Sequence, residues 1–269
     1  MNPTLTIKVL KMQAQTIASY ALGSAFYSAL VVFLFHSFIV QHTAFFQQYL
    51  TILPKALLQA FNISGSNIFT FGGFLGAEYL SFIWVVIVAA FIISFTSGAI
   101  AREIEQGTIE LVLAYPVGRI RFFLSKVAAL VLALLAIVAA TLGGIWVGAL
   151  SQHIQVAPAS FFAIGVLATA FGLAVAGYSF FFSAVASERA AAAGAAAAVT
   201  VLFYAVNFAS SLWSQLSGLG RLSIFHYYSP QDAINLGRVD SGSFLVLFGL
   251  ALLTTIAGAA LFRLRDLSP

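Results

Sequence analysis

Cysteine is absent from this 269-residue chain, and charged residues make up only 7% of it. The lack of cysteine excludes disulfide bonds and thiolate metal sites. The scarcity of charge excludes an ordinary water-soluble domain, in which about 25% of the residues are charged. Hydrophobic residues account for 61% of the chain and include 27 phenylalanines. We therefore predict an all-α integral membrane protein.

Motifs for nucleotide binding and catalysis are also missing from the sequence. The glycine-rich run Gly72-Gly73-Phe74-Leu75-Gly76 lacks the lysine and the spacing of a G-x-x-x-x-G-K-[ST] phosphate loop. The chain contains neither an H-E-x-x-H motif nor an acidic cluster within its apolar runs. We predict that it holds no catalytic residue, no metal and no cofactor.

Six apolar runs are long enough to cross a membrane, since a spanning helix needs about 20 residues. They cover approximately residues 20–40, 79–100, 122–150, 160–186, 190–212 and 243–262. The third and fourth runs are long enough to tilt or to project beyond the hydrocarbon. We predict that the whole chain, 1–269, forms a single transmembrane domain.

The basic residues that flank these runs predict the orientation of the chain. With the N-terminus inside, the inner segments hold nine basic residues: Lys8, Lys11, Arg102, Arg119, Arg121, Lys126, Arg189, Arg263 and Arg265. The outer segments hold three: Lys55, Arg221 and Arg238. Because cytoplasmic loops carry an excess of Lys and Arg, both termini are predicted to be cytoplasmic. The formal net charge of +4 is then a topology signal, and we predict no nucleic-acid partner.

Two segments outside the spans are still partly apolar. Residues 1–19 mix apolar residues with Lys8 and Lys11, a pattern typical of a helix lying along the inner membrane surface; a frayed terminal segment is the alternative. Residues 213–242, between the fifth and sixth spans, combine glycines, tyrosines and Pro230. This composition favours a re-entrant hairpin or an outer cap, with a plain surface loop as the alternative.

The polar segment between the second and third spans, residues 101–121, is predicted to contain a short amphipathic helix over Arg102–Leu113. Glu103 and Glu110 lie on one stripe of that helix. Gly107 weakens it by about 1 kcal/mol relative to alanine, and Pro116 ends it. A force on such a helix would reach two spans at once. The alternative is an ordinary solvated loop with stop-transfer charges.

The third span begins with Arg119, Phe122 and Lys126 on one face. We expect both cations to extend to the lipid headgroups, since long basic side chains keep their charged ends in water.

The predicted spans contain few polar side chains. His36 and Asn207, near the outer ends of the first and fifth spans, are the candidates for lining a substrate pathway; an interhelical hydrogen bond is the alternative for each. A pathway with so few charges favours an apolar or amphipathic substrate over a small ion.

Small residues recur at four-residue spacing in two of the spans. Gly144 and Gly148 form one ridge in the third span, and Ala190, Gly194 and Ala198 form another in the fifth. Such ridges predict close helix packing; a seam that slides during transport is the alternative.

The polar segment resembles the signature loop of ABC-2 type ABC transporter permeases, through the run Glu103–Leu113 (EIEQGTIELVL) followed by Pro116, Arg119 and Lys126. The pattern in that family is an acidic residue, a Gly-Thr pair, apolar residues, then Pro-x-x-Arg and a later lysine. Two further segments are similar to that family, namely Ser187-Glu188-Arg189 and Tyr228-Ser229-Pro230. Six spans with both termini inside also match, so the resemblance covers nearly the whole chain.

The resemblance implies a half-transporter in the cell membrane. Two permease chains, identical or related, would pair with two copies of a cytosolic ATP-binding subunit that holds ATP and Mg²⁺. The polar segment is where the motion of that subunit would enter the membrane, and export is the usual direction. The residues that the resemblance assigns to the docking surface are Glu103, Glu105, Gly107, Thr108, Glu110, Pro116, Arg119, Glu188 and Arg189.

Two other classes of protein stay open at this point. One is a self-sufficient carrier or channel, which often has internal repeats and intramembrane charges. The other is a membrane-embedded enzyme acting on lipid or peptide, which needs a nucleophile, a base or a metal cluster at the membrane face. The sequence shows neither set of features.

Overall fold

The computed structural model describes residues 2–35, 37, 48, 52, 69–107 and 118–265. Over these ranges the chain is helical apart from short connections, and it forms no strand. Six of the described helical segments are long and apolar enough to cross a membrane. The prediction of an all-α protein with six spans is therefore confirmed.

Ten α-helices follow one another along the described chain. They are α1 (Pro3–Met12), α2 (Ala14–Leu34), α3 (Phe71–Leu75), α4 (Ile83–Ala99), α5 (Ala101–Glu105), α6 (Arg119–Ser151), α7 (Pro158–Val185), α8 (Arg189–Leu212), α9 (Pro230–Leu236) and α10 (Ser241–Leu264). A π-helical segment, Gly76–Leu80, connects α3 to α4, and 3-10 helices at Ser214–Leu222 and Ile224–Tyr227 precede α9. The six spans are α2, the segment Phe71–Glu105, α6, α7, α8 and α10.

The N-terminal segment differs from the prediction of one helix over 1–19 and a first span at 20–40. Asn2 caps α1, because its side chain accepts hydrogen bonds from the backbone nitrogens of Thr4 and Leu5. The helix then breaks at Gln13, and the first span already begins at Ala14. The start of α2 is polar, so hydropathy alone places the beginning of this span too late.

The second span begins at Phe71 rather than at Tyr79. A β-carbon at Gly72 would overlap the side chain of Asn235, and one at Gly76 would overlap Gln231. Both partners lie on α9, so these glycines permit close contact between the two helical segments. The glycine-rich sequence does not predict this helical segment, because tertiary packing stabilises it.

The last span begins at a capped end. The carboxylate of Asp240 accepts a hydrogen bond of 2.7 Å from the backbone nitrogen of Ser243. This bond lowers the pKa of Asp240, because it stabilises the charged form.

The segment between α8 and α10 reaches the middle of the bundle. Phe171 of α7 lies 13 residues after Pro158, about 20 Å along the helix axis. Its ring centroid is 4.5 Å from that of Tyr228 and 5.3 Å from that of Phe225. Trp84 of α4 stacks on Tyr228 at 6.1 Å. The assignment of this segment to the outer side stays a prediction.

The chain then returns towards the start of α7 through α9. The hydroxyl of Ser160, in the first turn of α7, donates a hydrogen bond of 2.5 Å to the carbonyl oxygen of Ile234. The segment therefore enters the bundle and leaves it again at the same end of α7.

A buried cluster of hydroxyl groups joins α2, the π-helical segment, α4 and α6. The hydroxyl of Ser24 lies 2.6 Å from that of Tyr79 and 2.7 Å from that of Thr141. The Thr141 hydroxyl also accepts from the indole nitrogen of Trp84 at 3.1 Å, and the Thr141 carbonyl accepts from Ser28 at 3.1 Å. Each buried polar group thus finds its partner on another helix.

The two small-residue ridges have different surroundings. On α6, a β-carbon at Gly144 would overlap the carbonyl oxygen of Ala25, and one at Gly148 would lie 2.8 Å from the β-carbon of Val32. We call this contact the α2–α6 seam, and it confirms the predicted close packing there. Ala190, Gly194 and Ala198 of α8, here called the α8 ridge, are all exposed within the described chain.

Candidate functional site

The described docking candidates all lie at one end of the bundle, which we call the charged end. It is formed by α5, the start of α6, the turn between α7 and α8, and the end of α10. The candidates found there are Glu103, Glu105, Gly107, Arg119, Glu188 and Arg189. The others, Thr108, Glu110 and Pro116, lie outside the described residues, as does the pathway candidate His36.

The helix predicted over Arg102–Leu113 is interrupted in the structure before Gly107, and residues 108–113 lie outside the described residues. The described helix, α5, ends at Glu105, and Gly107 has a φ of +66°. Residues with a side chain rarely adopt this left-handed conformation, and glycine commonly ends helices in this way. Gly107 therefore terminates the helix instead of only weakening it.

An ion pair connects α5 to α6. The ammonium group of Lys126 lies 2.5 Å from Oε1 of Glu103, and the two side chains are only 10% and 21% exposed. The same ammonium lies 5.1 Å from the ring centroid of Phe122. The expectation that Lys126 extends to the lipid headgroups was wrong, because a carboxylate of the preceding span holds it inside the protein.

A second carboxylate connects α5 to α8. Oε2 of Glu105 accepts a hydrogen bond of 2.9 Å from the backbone nitrogen of Arg189, the first residue of α8. A carboxylate is favourable there, because the first backbone N–H groups of a helix are unpaired and carry partial positive charge. The structure thus brings together the two polar turns that the sequence singles out.

Two arginines connect α10 to its neighbours. Arg119, at the start of α6, donates to the carbonyl oxygens of Arg265 at 2.6 Å and Arg263 at 3.3 Å. It thereby neutralises the C-terminal end of α10 and does not extend to the lipid, contrary to the expectation. Arg265 in turn donates to the carbonyl oxygens of Ala184 and Ala186, at 2.9 and 2.8 Å.

Arg265 was not singled out by the sequence. It also donates a hydrogen bond of 2.7 Å to the hydroxyl of Ser187, beside the docking candidate Glu188. In the sequence, Arg265 looks like any basic residue that follows a span. Its pairing with the α7–α8 turn depends on the packing of α7 against α10, which no local pattern reveals.

These contacts form a closed circuit around the charged end. Glu103–Lys126 joins α5 to α6, and Glu105–Arg189 joins α5 to α8. Arg265 joins the α7–α8 turn to α10, and Arg119 joins α10 back to α6. A displacement of α5 would therefore act on several spans together. The arrangement suits mechanical coupling.

The exposed side of the circuit carries charges and a groove. Arg102, Glu105 and Glu188 are exposed there. A groove of about 690 Å³ runs between α4–α5 and α8. The groove is lined by polar residues at one end and by small residues along α8. The lining includes Arg102, Glu105, Gln106, Arg189, Ala193 and Ala197.

The pathway candidate Asn207 lies on α8 and is half-buried. Its carbonyl oxygen accepts a hydrogen bond of 2.7 Å from the hydroxyl of Ser210, in the next turn of the same helix. The buried hydroxyl cluster around Thr141 was not predicted.

A comparison with known families decides the class of this protein. A family model described as "ABC-2 family transporter protein" matches residues 6–267. The chain belongs to the ABC-2 transporter family. No curated protein gives a significant match to it.

This ABC-2 permease is accordingly the membrane subunit of an ABC transporter and a multi-pass membrane protein. Permeases of this family generally work with ATP-binding subunits. The resemblance derived from the polar segment is confirmed, and the chain is a transport component.

Proposed function

We propose that this permease exports an apolar or amphipathic substrate, driven by a separate ATP-binding subunit that docks on the charged end. The observation that supports docking there is the hydrogen bond between Glu105 and Arg189, which brings together two polar turns 84 positions apart. ATP and Mg²⁺ are bound by the docked subunit, and both termini of the permease face the same cytoplasmic compartment.

The contact circuit gives a mechanism for coupling. Two ATP-binding subunits approach each other when they bind ATP and separate after hydrolysis. Movement of a docked subunit displaces α5, and the displacement reaches α6 through Glu103–Lys126 and α8 through Glu105–Arg189. Thr108, Glu110 and Pro116, which lie outside the described residues, complete the proposed docking surface.

Charge reversal on the charged end tests the docking proposal. Glu188 is exposed and Glu110 belongs to the proposed surface, so Glu188→Lys and Glu110→Lys should together reduce co-purification of the ATP-binding subunit about 10-fold. The co-purified subunit is identified by its phosphate loop in mass spectrometry. Asp232→Lys makes the charge change of either single substitution at an exposed position on α9 and should have no effect. Undiminished co-purification by the double variant contradicts docking at this end.

We further propose that a second permease chain packs on the α8 ridge. No described atom lies within 4 Å of a β-carbon built at Gly194, and ridges of small residues allow helices in membranes to approach closely. Because the chain has no cysteine, Gly194→Cys introduces a single thiol. Oxidation should then cross-link two chains. Gly249→Cys on α10, where no described atom lies within 4 Å of the β-carbon position either, should not cross-link; equal cross-linking of both variants contradicts the proposed interface.

The proposed substrate class rests on an apolar groove in the bundle. A groove of about 560 Å³ between α6, α7 and α10 has an apolar lining that includes Leu135, Leu142, Phe161, Phe162, Phe244 and Phe248. Amphiphiles should stimulate the ATPase of the purified complex, because they match such a lining. Stimulation by hydrophilic solutes alone contradicts this class. His36 and Asn207 are the proposed polar contacts along the pathway.

A further inference from the structure

A cavity of about 390 Å³ lies between α1, the junction of α4 and α5, and the start of α6. Its apolar lining comes from all three elements: Leu5, Val9, Met12, Phe95, Ala99 and Phe122. Its volume lies within the range of small-molecule sites, about 300–1,000 Å³.

Positive charge predominates around this cavity. Its lining side chains include three cations, Lys8, Arg102 and Lys126, and one carboxylate, Glu103. Lys126 is paired with Glu103. Within the described ranges, Lys8 and Arg102 form no ion pair, and both are exposed. The cavity therefore presents two cations that are available to an anionic group, beside an apolar surface.

The position of α1 indicates where the cavity opens. Ile7 and Met12 are 53% and 76% exposed, next to Lys8 and Lys11. Val9 and Thr6 of the same helix are buried, and Thr6 donates to the carbonyl oxygen of Ser125 on α6 at 3.3 Å. An apolar surface that is flanked by lysines and left exposed by the described chain is typical of a helix at the boundary between headgroups and acyl chains.

We propose that this cavity binds an anionic phospholipid taken from the bilayer. The phosphate lies between Lys8 and Arg102, and the first part of an acyl chain lies on Val9, Phe95 and Phe122. The apolar lining and the position of α1 favour a lipid over an acidic side chain of the ATP-binding subunit. Because the cavity is lined by α1 and by Glu103, a bound lipid holds α1 against the charged end.

Binding is measured on the purified full chain in neutral detergent micelles. Fluorescently labelled phosphatidylglycerol is titrated against equally labelled phosphatidylcholine. Phosphatidylglycerol should bind more tightly, and the double variant Lys8→Gln, Arg102→Gln should weaken its binding about 30-fold, at about 5-fold for each cation. Lys11→Gln removes the same charge from the same helix outside the cavity and should change the affinity less than about 2-fold. Equal affinity for the two lipids, or an equal loss in Lys11→Gln, overturns the proposal.

A second variant tests the cavity without changing any charge. Gly98 lines the cavity, and no described atom lies within 4 Å of a β-carbon built there. Gly98→Leu should therefore fill the space without a clash and weaken phosphatidylglycerol binding at least 10-fold. Gly249→Leu, a change of the same kind far from the cavity, should leave binding intact. Undiminished binding by a correctly folded Gly98→Leu variant overturns the proposal.

Two further outcomes identify other occupants. Soluble glycerol 1-phosphate should compete only weakly, because it lacks the acyl chain; competition at concentrations equal to the lipid indicates a simple phosphate site and overturns the proposal. If the Lys8→Gln, Arg102→Gln variant loses the ATP-binding subunit and keeps its lipid affinity, the cavity belongs to protein docking, and the proposal fails while docking at the charged end stands.

Discussion

The α2–α6 seam and the α8 ridge are both built from small residues spaced four apart, but only the seam is filled. At Gly144 the backbone of α2 occupies the space where a side chain would lie. At Gly194 no described atom comes near. Small-residue spacing thus identifies a surface that permits close approach, and it does not tell which helix approaches.

Hydrogen bonding distinguishes the two surfaces further. Across the α2–α6 seam, Ser24 and Ser28 bond to the hydroxyl and the carbonyl of Thr141. The α8 ridge consists of alanine and glycine. The α2–α6 seam therefore combines close packing with polar groups that fix the register of the helices. The α8 ridge permits close packing but has no polar side chain that could fix a register.

The largest effect is expected from filling the seam. Gly144→Leu should lower the free energy of unfolding by about 3 kcal/mol, because Ala25 and Ser28 leave no room for the side chain. Thermal unfolding in detergent measures this. The neighbouring Gly143→Leu is the control, since no described residue comes within 4 Å of a β-carbon built at Gly143. Equal destabilisation by the two variants argues against a tightly packed seam.

A smaller loss is expected from the hydroxyl cluster. Thr141→Val should lower the free energy of unfolding by about 2 kcal/mol, because Ser24 and Trp84 lose their shared hydrogen-bond partner while they stay buried. In Thr254→Val, the lost hydroxyl is bonded, among the described residues, to carbonyls of its own helix alone, so the loss of unfolding free energy should be well below this. Chemical or thermal unfolding measures the stability of both variants. A similar loss of stability in the two would mean that hydrogen bonds across the α2–α6 seam do not stabilise the protein.

A large side chain on the α8 ridge should weaken the pairing of permease chains without changing the stability of the single chain. Gly194→Leu should weaken pairing of two permease chains about 10-fold, or about 1.4 kcal/mol, and leave the unfolding temperature of the single chain unchanged. Light scattering over a dilution series measures the pairing. Intact pairing with lost transport supports a sliding seam. Intact pairing together with intact transport contradicts a role of the α8 ridge in either process.

The smallest effect is expected on the other side of α2. Gly23 lies next to Ser24, but nothing in the described part of the chain lies within 4 Å of its β-carbon position. Gly23→Ala should raise the free energy of unfolding by at most about 1 kcal/mol, through the higher helix propensity of alanine. A clear destabilisation in the same unfolding measurement would show that a partner helix covers this face.

The six spans were predictable because hydropathy is a property of the local sequence. The residues at which the spans begin were less predictable. The break at Gln13 lies in a segment of intermediate polarity, and the helical segment from Phe71 onward depends on contact of Gly72 and Gly76 with α9. Tertiary packing decides the second of these positions, and a single-sequence pattern does not contain it.

The charged end was predictable in part. The resemblance pointed to Glu105 and Arg189, which the structure places in contact. The pairing of Lys126 with Glu103 and the role of Arg265 were missed. Charges at the ends of spans look alike in the sequence, and their partners depend on which helix ends meet in three dimensions.

The stack of Trp84 on Tyr228 gives this protein a built-in optical reporter. The chain has three tryptophans. Trp146 and Trp213 are 55% and 56% exposed, whereas Trp84 is fully buried between the hydroxyl cluster and the segment that enters the bundle. Replacing the two exposed indoles by phenylalanine leaves one tryptophan, whose emission spectrum and quenching would follow any withdrawal of Tyr228 during the transport cycle without an attached dye.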